Sequence, residues 1–338
     1  MNFGKNRDPR LLGADIVLHS EHLRHELGPN LALAREMPKR SVLAMSTFYK
    51  PEKDGNWSEV VKNRAEIALK SIEEAARLGY HVICVDEFSD EGWRKEAIDK
   101  GANLHNADFE KYSLGTSPMG RCRRQAIDLA SQVEGRSVGI YTEPEKRFAI
   151  LAPNGKLMPL AMASTPIEEG LVDWVIPRRS DNGESYPVVQ QFMERAGNAA
   201  AQAVLLKYAE RLEMPEEKAL HFAQYLDHFF GPKLFRIDGG NAKYFLEYGE
   251  LAQADPRFND QWGSVHYPPI MALLDGKRVG GVPIPYVHPS AQRDIEGRDI
   301  ALDLKRYEQG AKLTQTLVWL VSRDLKNRGL EPLTAEPA

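Results

Sequence analysis

Cysteine is almost missing from this chain: Cys84 and Cys122 are the two thiols in 338 residues. With so few, and with Cys84 inside an apolar run, a disulfide framework is excluded and a reducing, cytoplasmic setting is expected. Long hydrophobic runs are missing as well. No stretch approaches the ~20 apolar residues of a membrane span. The opening MNFGKNRDPR lacks the apolar core of a signal peptide, so a soluble, unprocessed chain is expected. Neither sign of charge dominates: 44 Lys and Arg stand against 48 Asp and Glu, for a net charge of −4 and a pI near 6.2. That balance excludes a global attraction to nucleic acid or anionic lipid, so any anionic ligand must be held locally. An internal repeat, a Walker loop, a zinc-ligand cluster and a nucleophile elbow are also absent. The glycine pairs at 239–240 and 280–281 neither follow a strand nor open a helix at the spacing of a dinucleotide fingerprint.

What is present is a chain 42% hydrophobic and 27% charged, able to bury a sizeable core. Residues 1–38 are polar with scattered apolar positions and read as an N-terminal arm with one or two helical turns. Residues 40–48, RSVLAMSTF, read as a buried strand followed by a polar loop. Ser58 is placed to cap a helix with apolar or small residues at Val61, Ala65, Leu69, Ile72 and Ala76, and Gly79 to stop it. A second strand, HVICV over 81–85, a helix over 91–100 and a short strand over 103–106 follow. This strand–helix alternation predicts a parallel sheet with right-handed crossovers.

Residues 115–126, GTSPMGRCRRQA, form a glycine-bearing loop that opens a helix running to about 132. Three arginines at a helix start oppose the dipole, which favours anions there, and so point to an anionic partner. Arg121, beside Gly120, is the nominee, while at least one of Arg123 and Arg124 is expected to face solvent. Next comes SVGIYTEPEK over 137–146, a strand that Pro144 ends because it has no N–H to donate. Residues two apart on an extended segment point the same way, so Glu143 and Glu145 present two hard oxygen donors in front of the sheet edge. Such donors suit Mg²⁺ or Mn²⁺ carrying a substrate diphosphate.

Taken in order, these features resemble the nucleotide-diphospho-sugar transferases of the GT-A fold, in particular the family-2-type glycosyltransferases. Residues 85–90, VDEFSD, have the form of that family's D-D-G-S-x-D turn after the second strand. Residues 120–126 take the place of its glycine loop, and Glu143-Pro144-Glu145 stands in the slot of its metal-binding D-x-D. The resemblance spans about 105 residues, 41–145. Glutamates replace aspartates in the metal motif, and Glu87-Phe88 replaces Asp-Gly.

The resemblance implies an α/β fold with a mixed, mostly parallel sheet flanked by helices on both faces. It implies an arm over 1–38, a transferase domain over 39–326 and a loose tail over 327–338. It further implies an enzyme, a glycosyltransferase moving a sugar from a nucleotide-diphospho-sugar to a soluble or peripheral acceptor, either a small molecule or a lipid phosphate, with Mg²⁺ or Mn²⁺. Carried over residue by residue, Ser46, Asp86 and Arg121 would hold the nucleotide, and Glu143, Glu145 and His288 the metal. Arg178, Arg179 and Lys233 would lie near the diphosphate or acceptor, Lys233 within the floor segment 226–236. Asp260, beside Trp262, would be the general base, with His266 as runner-up. Glu194, Arg195 and Asn198 would line the acceptor side, and the charged segments 292–296 and 305–309 would fold over the nucleotide. A nucleotidyltransferase is disfavoured, because the glycine-rich loop expected after the first strand is absent from 46–57. A catalytically silent relative that binds a sugar nucleotide or a protein partner is the alternative. No nucleic-acid partner is expected, and a homodimer is compatible with the sequence.

Overall fold

The computed structural model describes residues 28–52, 55–224 and 226–333. Of the expected arm, residues 1–27 lie outside the described residues. Its remainder forms α1 (Leu31–Ala34) and α2 (Met37–Arg40). Asn30 joins this segment to the main body, its N–H donating to Thr165 Oγ1 at 3.0 Å. The chain then alternates β1 (Ser41–Thr47), α3 (Glu59–Leu78), β2 (His81–Asp86), α4 (Glu91–Asp99) and β3 (Asn103–Asn106). α5 (Pro118–Ser131), β4 (Val138–Tyr141), α6 (Arg147–Ile150), α7 (Pro159–Glu168) and β5 (Trp174–Arg179) follow. After β5 come α8 (Val188–Arg211), α9 (Glu216–Phe222), β6 (Lys233–Arg236), α10 (Lys243–Ala254), α11 (Asp260–His266) and α12 (Pro268–Leu274). The last elements are β7 (Val279–Ile284), α13 (Ser290–Glu296) and α14 (Ile300–Asn327).

Local chemistry sets the boundaries. Ser58 caps α3 by accepting from the Val61 N–H, and Gly79 ends it in the left-handed region at φ 100°, where a Cβ is disfavoured. Asp90 caps α4 by accepting from the Trp93 N–H, satisfying one of the orphan donors of the first turn.

The seven strands form one sheet in the order β3-β2-β1-β4-β6-β5-β7. β6 runs antiparallel to both its neighbours, β4 and β5, while the other pairs are parallel. The sheet is therefore mixed and mostly parallel, as the sequence led one to expect. Alternate residues of β1 feed two cores: Val42 and Ala44 join the cluster on one face, Leu43 and Met45 that on the other. Period-two burial on both faces is what covering helices on each side produce. Gly139 of β4 pairs with Phe235 of β6, and a Cβ at Gly139 would fall 2.3 Å from the Phe235 ring. The glycine is the space that ring occupies.

Strand order reverses at β1, with β2 and β3 on one side and β4 on the other. In open α/β sheets the crevice beyond the strand ends at such a switch point is where ligands bind. Of the segment expected as a tail, residues up to 333 lie along α14 and α8. Leu333 N–H donates to Ser322 Oγ at 3.2 Å, and Glu331 pairs with Arg211 at 3.2 Å.

Candidate active site

A cleft of about 380 Å³ opens beyond the ends of β1 and β4, within the usual size of small-molecule sites. Ser46 to Tyr49 line it from β1, and Glu143 to Lys146 from β4. Arg123 of α5, Trp262 and His266 of α11, and His288, Glu296 and Lys305 complete the walls.

The two glutamates differ in their surroundings. Glu145 Oε1 accepts from the Tyr49 hydroxyl at 2.7 Å, and burial together with that carboxylate pushes the Tyr49 pKa well up. Glu143 Oε2 is buried and has no hydrogen-bond partner among the described residues. It lies so close over Gly231 that a Cβ there would sit 1.6 Å from it. A buried carboxylate oxygen without a donor is costly unless a cation or donor completes it. Behind it, Lys233 donates to the carbonyls of His228 at 3.3 Å, Pro232 at 3.4 Å and Gly231 at 3.5 Å, and also to that of Phe230. Burial lowers the Lys233 pKa to about 8, with Glu143 and Asp227 working the other way. Lys233 is fully buried and fixes the 228–232 loop; it does not reach the cleft.

Among the described residues, five cations line the cleft: Arg64, Arg123, Lys146, Lys305 and Arg306. Arg123 Nε donates to the Tyr141 hydroxyl at 2.9 Å, and its Nη1 to Ser264 Oγ at 3.2 Å and to the Gln261 carbonyl; all three acceptors are neutral. Lys146 donates to the Tyr186 hydroxyl at 2.8 Å. Lys305 has its pKa lowered by desolvation and by the charges of Arg64, Arg306 and Arg123. Nearby, Glu296 collects Arg64 at 2.6 Å and Arg306 at 2.9 Å, and Gln292 at 2.9 Å. Burial opposes the Glu296 charge, but His288, Arg64 and Arg306 outweigh it and hold the carboxyl well below the usual range.

Several residues expected in the site have other work. Asp86 ends β2 as expected but is 1% exposed. It accepts from Thr47 Oγ1 at 2.8 Å and Ser89 N at 3.0 Å and pairs with Arg94 at 3.3 Å, so it braces the turn from below while Glu87 reaches the cleft. Ser46 lines the cleft, its hydroxyl 3.3 Å from that of Tyr141. Arg121 turns to the Gly115 carbonyl at 3.0 Å, and the arginine on the cleft is Arg123, two residues on. Asp260 is wholly withdrawn. Arg124 grips both its oxygens, at 2.6 and 3.0 Å, and the Ser117 N–H donates to it at 2.9 Å. Gly115 and Gly120 are there to admit it: a Cβ on either would fall 2.4–2.5 Å from its Oδ2.

Arg179 is buried between Asp227, at 2.6 Å, and Glu194, also at 2.6 Å, and Asn198 donates to Asp227 at 2.9 Å. Arg178 is buried on β5, and neither arginine lines the cleft. His288 does line it, stacked on Tyr186 with centroids 4.3 Å apart and with Nε2 3.6 Å from Glu296. Burial lowers its pKa to about 4 against the pull of Glu296. Among the described residues no three His, Cys, Asp or Glu side chains cluster as a metal site, so His288 is not gathered with the two glutamates. Tyr49, Arg64, Arg123 and Lys146 are site residues that sequence reasoning missed. Gln292 and Glu296 of the first charged segment, and Lys305, Arg306 and Gln309 of the second, line the cleft.

No family model matches the chain, and no curated protein matches it. Among solved structures it is similar to mannosyl-3-phosphoglycerate synthase from Rubrobacter xylanophilus, at 14% identity, 95% coverage of this chain and 87% of that one, with a TM-score of 0.47. It is also similar to glucosyl-3-phosphoglycerate synthase from Mycobacterium tuberculosis with Mn²⁺ and UDP-glucose, at 12% identity, covering 89% and 82% of the two chains, TM-score 0.43. The same enzyme with Mn²⁺, UDP and glucosyl-3-phosphoglycerate gives 13% identity, 86% and 82% coverage and a TM-score of 0.41.

Proposed function

We propose that this chain is a metal-assisted glycosyltransferase that takes a sugar from a nucleoside-diphospho-sugar and passes it to a small-molecule or lipid-phosphate acceptor. The observation that carries this reading is Glu143 at the end of β4, with a buried oxygen lacking a partner, beside Glu145 in a switch-point cleft. Two hard carboxylates with open coordination fit Mg²⁺ or Mn²⁺, whose remaining ligands would be diphosphate oxygens and water. When bound, the cation supplies charge stabilisation to the departing diphosphate.

The chain's own residues do the rest. Arg123 donates only to neutral acceptors and, with Lys305, places positive charge on the cleft walls, which suits phosphate oxygens. Glu296 sets the directions of Arg64 and Arg306. Asp260, locked in its ion pair with Arg124, is not offered as a base. His266 lines the cleft, but burial and the Lys233 ammonium lower its pKa well below the imidazole range, so it accepts protons weakly. A transfer in which the departing phosphate oxygen takes the acceptor proton needs neither residue, and is the course we favour. The reading is tested by a thermal-shift screen of UDP, GDP and ADP with and without Mn²⁺. Ligand at ~100 times its Kd adds about 2.7 kcal/mol, and one diphosphate is expected to raise the melting temperature only when Mn²⁺ is present. No shift with any of them would refute it.

A further inference from the structure

Two long helices of this fold carry apolar side chains on the side turned away from the cleft. α8 and α14 run side by side in the same direction. A side chain at Gly297 would meet Pro187 at one end, and one at Gly310 would meet Met193 further along. At the far end the Tyr208 hydroxyl donates to Asp324. Gln190 and Glu194 of α8, and Leu302, Lys305 and Arg306 of α14, face the cleft. At about 100° per residue, the opposite faces present Val188 and Phe192 on α8, and Ile300, Leu304 and Tyr307 on α14. These five are 78%, 71%, 75%, 63% and 64% exposed. Beyond Phe192 the α8 stripe continues through exposed Ala196, Ala199 and Ala203.

We infer that a second copy of this chain packs on this face about a two-fold axis, the α8–α14 pair of one copy against that of the other. Aromatic side chains alone carry on the order of 150–250 Å² each, so the patch amounts to roughly 500 Å² or more. That is at the upper end of what a monomer leaves bare and most of the ~800 Å² a subunit gives to a stable interface. The alanine stripe allows close helix approach. Three charges near the patch are answered within the chain, Arg195 by Glu184 at 3.6 Å, Arg293 by Asp294 at 3.2 Å and Lys312 by Glu308 at 4.0 Å, and Arg298 and Asp303 beside it are of opposite sign. A face with no surplus of either sign gives no pull toward an anionic membrane or a charged peptide. It is complementary to itself, which is what an isologous interface requires. Because the cleft residues sit on the other side of the same helices, the contact braces the cleft wall and leaves both clefts open.

The test is the mass of the full chain in solution by sedimentation equilibrium at micromolar concentration. The parent is expected at twice the 38.0 kDa of one chain. Phe192→Glu combined with Leu304→Glu is expected to halve that mass while keeping the helical circular-dichroism signal, since both side chains face solvent in one copy. Should that variant fail to fold, the pair Phe192→Ala and Leu304→Ala adds no charge and is expected to raise the dimer Kd at least tenfold. A parent of single-chain mass overturns the inference, as does a dimer indifferent to the variants. So does a monomeric parent that floats with phosphatidylcholine vesicles, which would give this face to a membrane.

Discussion

Glu143 owes its position to the residue beneath it, because only a glycine at 231 leaves room for Oε2, 1.6 Å from where a Cβ would stand. Gly231→Ala is therefore expected to push the carboxylate aside and cost at least tenfold in Mn²⁺-dependent nucleotide affinity, about 1.4 kcal/mol, by calorimetry. Unchanged affinity would show that Glu143 does not act from this place. Asp260 gives the opposite kind of prediction. Removing one partner of a buried ion pair costs roughly 3–5 kcal/mol, so Asp260→Ala is expected to lower the urea midpoint sharply. A variant of parental stability that had lost only kcat would restore it as a base. At this scale the sequence was half legible. The order of motifs placed Ser46, Glu143 and Glu145 on the cleft, although β4 already ends at Tyr141 and Pro144 and Glu145 lie in a turn instead of the extended strand end that was expected. It misplaced Arg121 and Asp260, because the phase of a helix that mixes arginines with glycines does not reveal which face meets the cleft. Arg124 and Asp260 lie 136 residues apart in the chain, and nothing local announces that pairing.

Among the elements, α13 and the start of α14 close the cleft by crossing to α3, and the fastening is one carboxylate. Glu296, 2% exposed, joins Arg64 of α3 to Arg306 of α14. Glu296→Gln keeps the size but removes the charge that both guanidinium groups need. Amide exchange across 290–309 is expected to quicken at least tenfold while β2 keeps its protection; equal protection in both segments would show that the fastening lies elsewhere. The first four strands and the helices between them were readable from periodicity and caps. α14 was not read whole: its N-terminal turns put Ile300, Leu304 and Tyr307 toward solvent, so the pattern there is not that of a helix burying one stripe. β6 was hidden inside a segment read as pocket floor.

For the whole molecule, the buried histidines set the response to acid. Burial lowers His228 to about 3 and takes His266 well below its ordinary value, and His266 Nδ1 contacts the His228 carbonyl at 2.5 Å. The unfolded chain takes these protons near pH 6.5 while the native state refuses them, so stability falls as pH drops below about 6.5. The slope is about 1.4 kcal/mol per pH unit for each histidine. His228→Asn is expected to make that slope shallower in urea titrations, and an unaltered slope would remove His228 from the account. The sheet as a whole was legible because strand–helix alternation and short crossovers leave few topologies, whereas the two-helix outer face needed the structure. The central claim is that Glu143 and Glu145 hold a divalent cation together with a nucleoside diphosphate, each ligand completing the other's site. The direct measurement is calorimetric affinity for UDP, GDP and ADP across a series of Mn²⁺ concentrations, in the parent and in Glu145→Gln. The account predicts that affinity for one diphosphate rises with Mn²⁺ in the parent and stays flat in the variant. An affinity indifferent to Mn²⁺ in the parent would contradict it and leave a sugar-nucleotide-binding protein without metal-assisted transfer.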